Sequence, residues 1–270
     1  MRALVIFIAM FVHFAVSKPA RSSDYPGAIP DLRVARGTGL IAEAWLADPT
    51  TRYRHFVLGS DYEAASLVVR TRDGDLAKLT LPRNAVFEDR QPRLADIDGD
   101  GVDEIIVVRS DPRRGAALVV VALVDGKLAV RWESEPTGRA NTWLNPAGIA
   151  DFDGDGRLDI AYVQMPHVLG LLRVWTLRKG QFEEMAQLPG FSNHEIGSPH
   201  LGLSAVADFD GDGVADLALP SLDRRTLRFI RFAGGVREIA QSALIAPAAK
   251  DFRIEMRNSR PVVLIEGALK

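Results

Sequence analysis

The chain has 270 residues, with 33 Lys and Arg against 35 Asp and Glu, and it contains no cysteine. The formal net charge of −2 provides no basic field for nucleic acid, and the lack of cysteine excludes both a disulfide framework and a thiol for lipid attachment. The overall composition is that of an ordinary globular domain.

The first 17 residues predict a secretory signal peptide. Arg2 precedes an apolar run, and residues 15–17 (Ala-Val-Ser) are the small residues that a signal peptidase prefers. An uncleaved anchor is the alternative, although the apolar run is short for crossing a bilayer. We therefore expect a secreted or periplasmic protein that is not an integral membrane protein after cleavage. Residues 18–30, rich in Ser, Pro and Gly, are expected to form a flexible leader to a single domain over residues 31–270.

The beginning of this domain predicts a unit of short β-strands. The strands fall at residues 55–58, 66–70, 77–81 and 85–88, and residues 39–45 could add an outer strand. Asp73-Gly74 between the second and third of these segments is a hairpin signal.

Three near-copies of one acidic loop follow, at residues 95–105, 150–160 and 207–217. Their first aspartates, Asp96, Asp151 and Asp208, are 55 and 57 residues apart. Self-similarity at such a near-constant period indicates a repeat architecture with one supersecondary unit per period.

Each loop has the residue pattern of a site for a hard cation. Carboxylates occupy its first, third, fifth and ninth positions, and glycines at the fourth and sixth permit the positive φ angles of a tight turn. Calcium takes six to eight such oxygen ligands. With the seventh-position carbonyl included, the predicted ligands of three Ca²⁺ sites are Asp96, Asp98, Asp100, Val102 and Glu104; Asp151, Asp153, Asp155, Arg157 and Asp159; and Asp208, Asp210, Asp212, Val214 and Asp216.

Two other interpretations of the acidic loops are an EF-hand and a surface turn without metal. An EF-hand requires a bidentate Glu at the twelfth position and flanking helices, but Val107, Tyr162 and Ala218 occupy that position and short apolar runs typical of strands follow each loop. The EF-hand is therefore rejected. An acidic, Gly-rich surface turn without metal remains the alternative, and its repetition in three copies argues against it.

The loops resemble the FG-GAP or VCBS type of propeller repeat, which is found in integrin α-subunit heads and in many secreted bacterial proteins. The resemblance covers residues 92–240, and it implies that the acidic loop joins the first two strands of a blade and holds Ca²⁺. It implies little about activity, because such propellers occur in adhesion proteins, lectins and polysaccharide-active enzymes.

Strand and turn signals between the loops predict three four-stranded antiparallel meanders, each a propeller blade. With the earlier unit and two strands in the tail, at residues 252–256 and 261–265, we expect an all-β propeller of five blades, although four or six remain possible. Pairing of the N-terminal with the C-terminal strands would close the ring and remove its exposed edges.

The other face of this propeller is predicted to carry the ligand site. Loops after first and third strands share one face, so the blade connections and the loops after second strands share the opposite face. The candidate ligand-binding residues on that face are His55, Trp143, Asn145, His167, Asn193 and His194. Such residues suit an anionic or carbohydrate ligand. A more specific hypothesis is that His55, His167 and His194 bind a transition metal. Polar residues that merely cap turns are the alternative.

The sequence thus predicts a secreted or periplasmic, Ca²⁺-stabilised binding module without catalytic chemistry. Its unidentified partner would be a glycan, a small anion or a protein. The alternative is a hydrolase or lyase with its active site on the histidine-bearing face, for which the sequence identifies no catalytic residue.

Overall fold

A computed structural model describes residues 24–267, and none of these residues lies in an α-helix. The described part of the chain is all-β, as predicted, and it holds no helix of the length and apolarity that crossing a bilayer requires. The predicted signal peptide, residues 1–17, lies outside the described residues.

The first unit is a four-stranded antiparallel meander without an acidic loop. Its strands pair in chain order and are β1 (Ala35–Arg36), β2 (Ile41–Thr50), β3 (Glu63–Thr71) and β4 (Leu76–Thr80). The predicted strand at residues 55–58 is wrong, because the chain turns there: Phe56 has a φ of 58° and Gly59 a φ of 76°. Residues 39–45 lead into the second strand of this meander rather than forming an outer strand.

Three further meanders follow, each with one acidic loop between its first and second strands. A short strand, β5 (Val86–Phe87), precedes them and pairs with both β3 and β7, which joins the first two meanders into one nine-stranded sheet. The strands of the three meanders are β6 (Arg93–Ala95), β7 (Glu104–Asp111), β8 (Gly115–Val124) and β9 (Lys127–Glu133); β10 (Leu144–Ala150), β11 (Asp159–Gln164), β12 (Leu171–Arg178) and β13 (Gln181–Leu188); and β14 (Ala205–Ala207), β15 (Asp216–Pro220), β16 (Thr226–Arg231) and β17 (Arg237–Ala243).

The last unit is a hairpin of two strands, β18 (Arg253–Arg257) and β19 (Arg260–Leu264). Within residues 24–267 neither of its strands pairs with the N-terminal strands, so the predicted closure by strand pairing is not seen there. All five residues of β18 are exposed, whereas Val263 and Ile265 pack with the preceding meander.

Apolar residues alternate along the strands and form one core cluster between each pair of successive units. In β7, Ile105 and Val107 pack towards the first meander, while Ile106 and Val108 pack towards the third. This separation follows from the two-residue period of a strand, which sends neighbouring side chains to opposite faces of the sheet. The units are therefore stacked side by side, each buried against the next.

Residues 24–30, which fall within the predicted flexible leader, are packed against the first meander. Tyr25 is buried with its ring 5.2 Å from that of Trp45 in an edge-on contact, and its hydroxyl donates to Glu43. Ile29 is buried, and its backbone N–H bonds to the carbonyl of Leu46.

Candidate functional site

The three acidic loops fold in nearly the same way, around the first aspartate of each. Asp96 accepts the backbone N–H groups of Gly99 and Gly101 at 2.8 and 3.0 Å, and Asp151 and Asp208 bond to the corresponding glycines of their loops. The φ angles of the six loop glycines lie between 76° and 89°, a region that L side chains rarely adopt. The glycines therefore allow the loop backbone to turn around the carboxylates.

The ninth-position carboxylates are the buried members of the three loops. Glu104, Asp159 and Asp216 begin second strands and are buried, and each accepts the backbone N–H of the second loop residue at 2.8–2.9 Å. Desolvation raises the pKa of Glu104 to about 7, with repulsion from Asp98 and Asp100 adding to it, and it also raises the pKa of Asp159 and of Asp216. Buried acidic groups of this kind are stabilised in the charged form by a bound cation.

Each loop gathers its first, third and ninth carboxylates into one cluster. In each cluster, one oxygen per residue lies within 4.8 Å of the others. The clusters are Asp96, Asp98 and Glu104; Asp151, Asp153 and Asp159; and Asp208, Asp210 and Asp216. These nine predicted residues come together as the sequence indicated. The fifth-position aspartates accept backbone N–H groups within their own loops, and their part in binding metal, like that of the Val102, Arg157 and Val214 carbonyls, stays a prediction.

Two of the three loops also contact an arginine that the sequence did not indicate. Arg178, at the end of β12, donates to Asp153 at 2.8 Å, and Arg231, at the end of β16, lies 2.9 Å from Asp210 and 2.8 Å from Asp212. Among the described residues, no Lys or Arg forms an ion pair with the carboxylates of the first loop. The alternation of β12 and β16 could have identified these arginines, because both strands end beside the loop of their own meander.

The donor set of the loops fits calcium. All the clustered side-chain atoms are carboxylate oxygens, which hard cations prefer, and several come from one short turn, as in flexible calcium sites. Nitrogen and sulfur ligands, which zinc and copper favour, are absent from the three clusters.

On the opposite side of the meanders, the structure brings three of the predicted ligand-binding residues together. His167 Nε2 lies 2.9 Å from His194 Nδ1, and the Trp143 ring stacks on His167 with centroids 6.2 Å apart. Burial lowers the pKa of His167 to about 3 and that of His194 to about 4, and other positive groups, including Arg224, act in the same direction. Both imidazoles are therefore neutral at physiological pH.

His55 belongs to an adjoining cluster that includes two residues missed by the sequence analysis. Its Nδ1 lies 2.7 Å from the fully buried carboxylate of Glu88, which also accepts the hydroxyl of Ser110. Trp143 Nε1 donates to the Glu88 carbonyl at 2.9 Å and so connects this cluster with the histidine pair. Glu88 lies at the end of the strand predicted at residues 85–88, and no sequence signal identified it as a site residue because its partner His55 is 33 residues away in the chain.

The two asparagines join the connection between β13 and β14 to strand β10. Asn145 donates to the carbonyls of Asn193 and Leu201, and Asn193 donates back to the carbonyls of Asn145 and Pro146. Both side chains are fully buried.

The six predicted residues therefore do not line one open pocket, which corrects the expectation. Trp143, Asn145, Asn193 and His194 are buried and bonded internally. Both ring nitrogens of His194 are engaged, by His167 and by the carbonyl of Ser198 at 2.9 Å, so His194 is not available as a metal ligand. Only His55 and His167 keep partial exposure, and a depression of about 310 Å³ lined by His167, Ile196 and Arg224 opens beside the latter.

A second depression, of about 340 Å³, lies where the first strands of the units converge. Its lining comes from every unit: Arg33, Arg93, Gly148, Gly202 and Asp251 lie in or just before the first strands of the five units in turn. Arg33, which precedes β1, donates to the carbonyl of Pro199 before β14, across this opening.

Comparison with known proteins identifies the repeat. The family described as FG-GAP-like repeat matches residues 96–162 and again residues 151–219, so each match spans two successive acidic loops. No curated protein matches the sequence. Among solved structures, the rhamnogalacturonan lyase PL11 of Bacillus licheniformis is 15% identical with a TM-score of 0.49, over 89% of this chain and 57% of its own. The exotype rhamnogalacturonan lyase YesX is 15% identical with a TM-score of 0.50, over 88% of this chain and 55% of its own. The chain thus spans less than two thirds of the length of these structures, and likeness at this identity concerns the fold alone.

Proposed function

Since residues 96–219 carry FG-GAP-like repeats, we propose that this protein is a secreted or periplasmic, calcium-stabilised β-propeller that binds its ligand without catalysing a reaction. FG-GAP-like repeats are typical of extracellular proteins, and the predicted signal peptide agrees with export. The proposed domain covers residues 31–270, after a leader.

The five-bladed architecture is supported by the way the units meet. Four four-stranded meanders and one hairpin stack in chain order, and residues in or just before the first strands of all five line one opening. The Arg33 to Pro199 hydrogen bond brings the beginning of the first unit against the fourth. We propose that the ring is completed by such contacts around the opening rather than by pairing of the first and last strands.

Calcium binding at three sites is supported by the carboxylate clusters. Without a cation, each loop holds three carboxylates within 4.8 Å of one another, one of them buried. Their repulsion and desolvation oppose folding, and a divalent cation that binds only the folded chain would stabilise it.

The observation that carries the non-catalytic proposal is the state of the histidine pair. His194 uses both ring nitrogens for internal bonds, and the lowered pKa values of His167 and His194 leave them poor proton acceptors at neutral pH. A general base works best with a pKa near the operating pH. The pair therefore suits packing beneath a binding surface better than proton transfer.

The second candidate function is that of a hydrolase or lyase, and one observation favours it. The His55 ring is held through Nδ1 by the buried Glu88 carboxylate, and the ring stays partly exposed. A histidine oriented in this way by a carboxylate is the usual arrangement of a general base. The solved structures of similar fold are named as rhamnogalacturonan lyases, which makes an acidic polysaccharide the first substrate to test.

One experiment separates the two candidates. The purified full-length secreted form is tested against a panel of neutral and acidic polysaccharides by affinity electrophoresis in calcium, and the same mixtures are assayed for new reducing ends and for unsaturated sugar ends. The proposal expects retardation on at least one glycan without chain cleavage. Cleavage that is abolished by His55→Gln, with the Tm unchanged, would replace the binding module by the enzyme.

A further inference from the structure

The opening between the first strands borders a larger depression along the terminal hairpin, and Asp251 lines both. The larger depression has a volume of about 640 Å³. We call the two depressions together the hairpin cleft. It extends from Arg33 and Arg93 at the centre to Arg253 and Arg257 on β18.

The hairpin cleft is basic, although the protein as a whole is not. Its charged lining comprises five Lys or Arg side chains and two acidic ones, beside a histidine. These are Arg33, Arg93, Lys250, Arg253 and Arg257, with Asp251 and Glu266, and His200. The lining thus has more positive than negative groups, whereas the whole chain carries a formal net charge of −2. Such an excess raises the local concentration of anions.

Several of the cationic groups are available to a ligand. The side chain of Arg253 is exposed and forms no hydrogen bond or ion pair with the described residues, although its charge contributes to lowering the pKa of Glu266. Arg257 is 60% exposed and contacts only the exposed Glu255, an ion pair of little strength in water. Arg33 gives one of its donors to the Pro199 carbonyl, which leaves the rest of its guanidinium unused in the described structure.

The acidic residue at the centre of the cleft is occupied by internal contacts. Asp251 accepts the backbone N–H of Gly202 at 2.7 Å, and its other oxygen lies 3.1 Å from His200 Nδ1. Glu266 is paired with Lys250 at 2.5 Å. Outside the lining, Asp89 pairs with Arg93 at 2.8 Å and Glu255 pairs with Arg257 at 3.0 Å. Among the described residues, Arg33 and Arg253 are the arginines of the cleft that form no ion pair, and they carry its unbalanced positive charge.

From this arrangement we infer that the hairpin cleft binds an acidic oligosaccharide through its carboxylate groups, with Arg253 and Arg257 as exposed contacts and Arg33 and Arg93 at the central end. The inference rests on the proposed function, because it names the ligand class of the same binding module. Guanidinium groups bind carboxylates by paired, charge-assisted hydrogen bonds.

The apolar part of the lining favours a sugar chain over a nucleic acid. Ile149 and Leu264, both half-buried, contribute aliphatic surface, which can pack against the C–H faces of sugar rings. No Phe, Tyr or Trp belongs to the cleft as far as the described residues define it. Single-stranded nucleic acids rely on such aromatic platforms for base stacking.

The test is calorimetric titration of the full-length secreted protein with trigalacturonate at fixed free calcium. The test variant is Arg253→Gln/Arg257→Gln, whose two side chains are exposed and make no contact on which the fold depends. The matched control is Arg237→Gln, which removes an exposed arginine from β17, outside the cleft. Galactotriose serves as the uncharged ligand, and a sulfated trisaccharide and an oligodeoxynucleotide serve as other anions.

We expect trigalacturonate to bind, the double variant to weaken its binding about tenfold, and the control to leave it unchanged. Galactotriose should bind at least tenfold more weakly than trigalacturonate. The inference is overturned if trigalacturonate does not bind, if the double variant binds it as well as wild type, or if the oligodeoxynucleotide or the sulfated sugar binds more tightly. If galactotriose binds tightly and the double variant does not weaken that binding, the hairpin cleft is not the binding site, but the proposal of a binding module stands. Release of unsaturated product would overturn the non-catalytic proposal instead.

Discussion

Replacing Arg178 by Gln should tighten calcium binding at the second acidic loop. Arg178 Nη2 lies 2.8 Å from Asp153 Oδ2 and 3.6 Å from Asp155 Oδ2, so its positive charge sits beside the oxygens predicted to hold the cation. A calcium ion about 2.4 Å from a carboxylate oxygen would lie roughly 5 Å from the guanidinium. The side chain is 44% exposed, so the dielectric constant of water applies, and repulsion between charges of two and one at that distance is about 1.7 kcal/mol.

This repulsion corresponds to roughly a tenfold gain in affinity on removing the arginine charge. The assay is calorimetric titration of calcium into chelator-treated protein, fitted to three sites, in about 0.01 M salt, where the Debye length of about 30 Å makes screening over this distance slight. Arg178→Lys keeps the charge and should retain the wild-type affinity. Arg139→Gln removes an exposed arginine from the connection between β9 and β10, on the side opposite the loops, and controls for overall charge.

We expect one of the three affinities to rise in Arg178→Gln and the other two to stay constant. Unchanged affinities would show that the arginine moves away when calcium binds. A weaker site would show that Arg178 holds Asp153 in its binding position, which would refute the electrostatic reasoning.

Three further predictions concern the loops and the histidine pair. Chelation with EDTA should lower the Tm by roughly 5–10 °C, and added Ca²⁺ should restore it. The reason is that one site stabilises the fold by about 2.7 kcal/mol when the free calcium concentration is a hundred times its Kd. A Tm insensitive to both additions would contradict calcium binding. Asp153→Ala should abolish one of three calcium sites in the same titration and leave two, whereas three intact sites would show that the second loop does not use Asp153. The free energy of unfolding should fall as the pH drops from about 6.5 towards 4. In this range the unfolded chain binds protons at His167 and His194, whereas the folded state, with pKa values of about 3 and about 4 at these residues, does not. The loss should reach up to about 1.4 kcal/mol per pH unit for each histidine. Urea unfolding at pH 7 and pH 5 in saturating calcium should show a smaller loss in His167→Gln than in wild type, and equal losses would show that His167 titrates normally.

The acidic loops and the meanders that follow them were predictable because their determinants are local. An aspartate, two glycines and a ninth-position carboxylate act within eleven residues, and Gly99 and Gly101 adopt the positive φ angles that the pattern requires. The two-residue alternation of apolar side chains then specified most strands of the three loop-bearing units. The strand predicted at residues 55–58 failed because an apolar run of four residues is equally compatible with a buried turn.

The face on which the candidate ligand residues lie could be predicted from the sequence, but their burial could not. The position of a residue in a loop between strands gives its face, and that argument correctly brought His167, His194 and Trp143 together. It could not give depth, because burial depends on neighbours distant in sequence: Asn145 is enclosed by carbonyls 48 and 56 residues away. The same non-local dependence hid Glu88, and it hid the basic lining of the hairpin cleft, whose arginines are scattered from residue 33 to residue 257.

Calcium and an acidic ligand would be coupled in this protein even if they never touch. Three bound calcium ions carry six positive charges, which would change the formal net charge from −2 to +4. The loops follow the first strands, whereas the hairpin cleft is lined by residues in or just before those strands, and no carboxylate of the loops belongs to its lining. Calcium loading would then strengthen the attraction of an acidic glycan mainly through the association rate and in a salt-dependent way. If calcium instead bridges the protein and the glycan directly, the affinity for the glycan should persist at high salt. That affinity should be lost when the calcium site of a single loop is removed. The salt dependence of trigalacturonate binding, measured with and without calcium, therefore distinguishes a distant electrostatic contribution from a shared metal site.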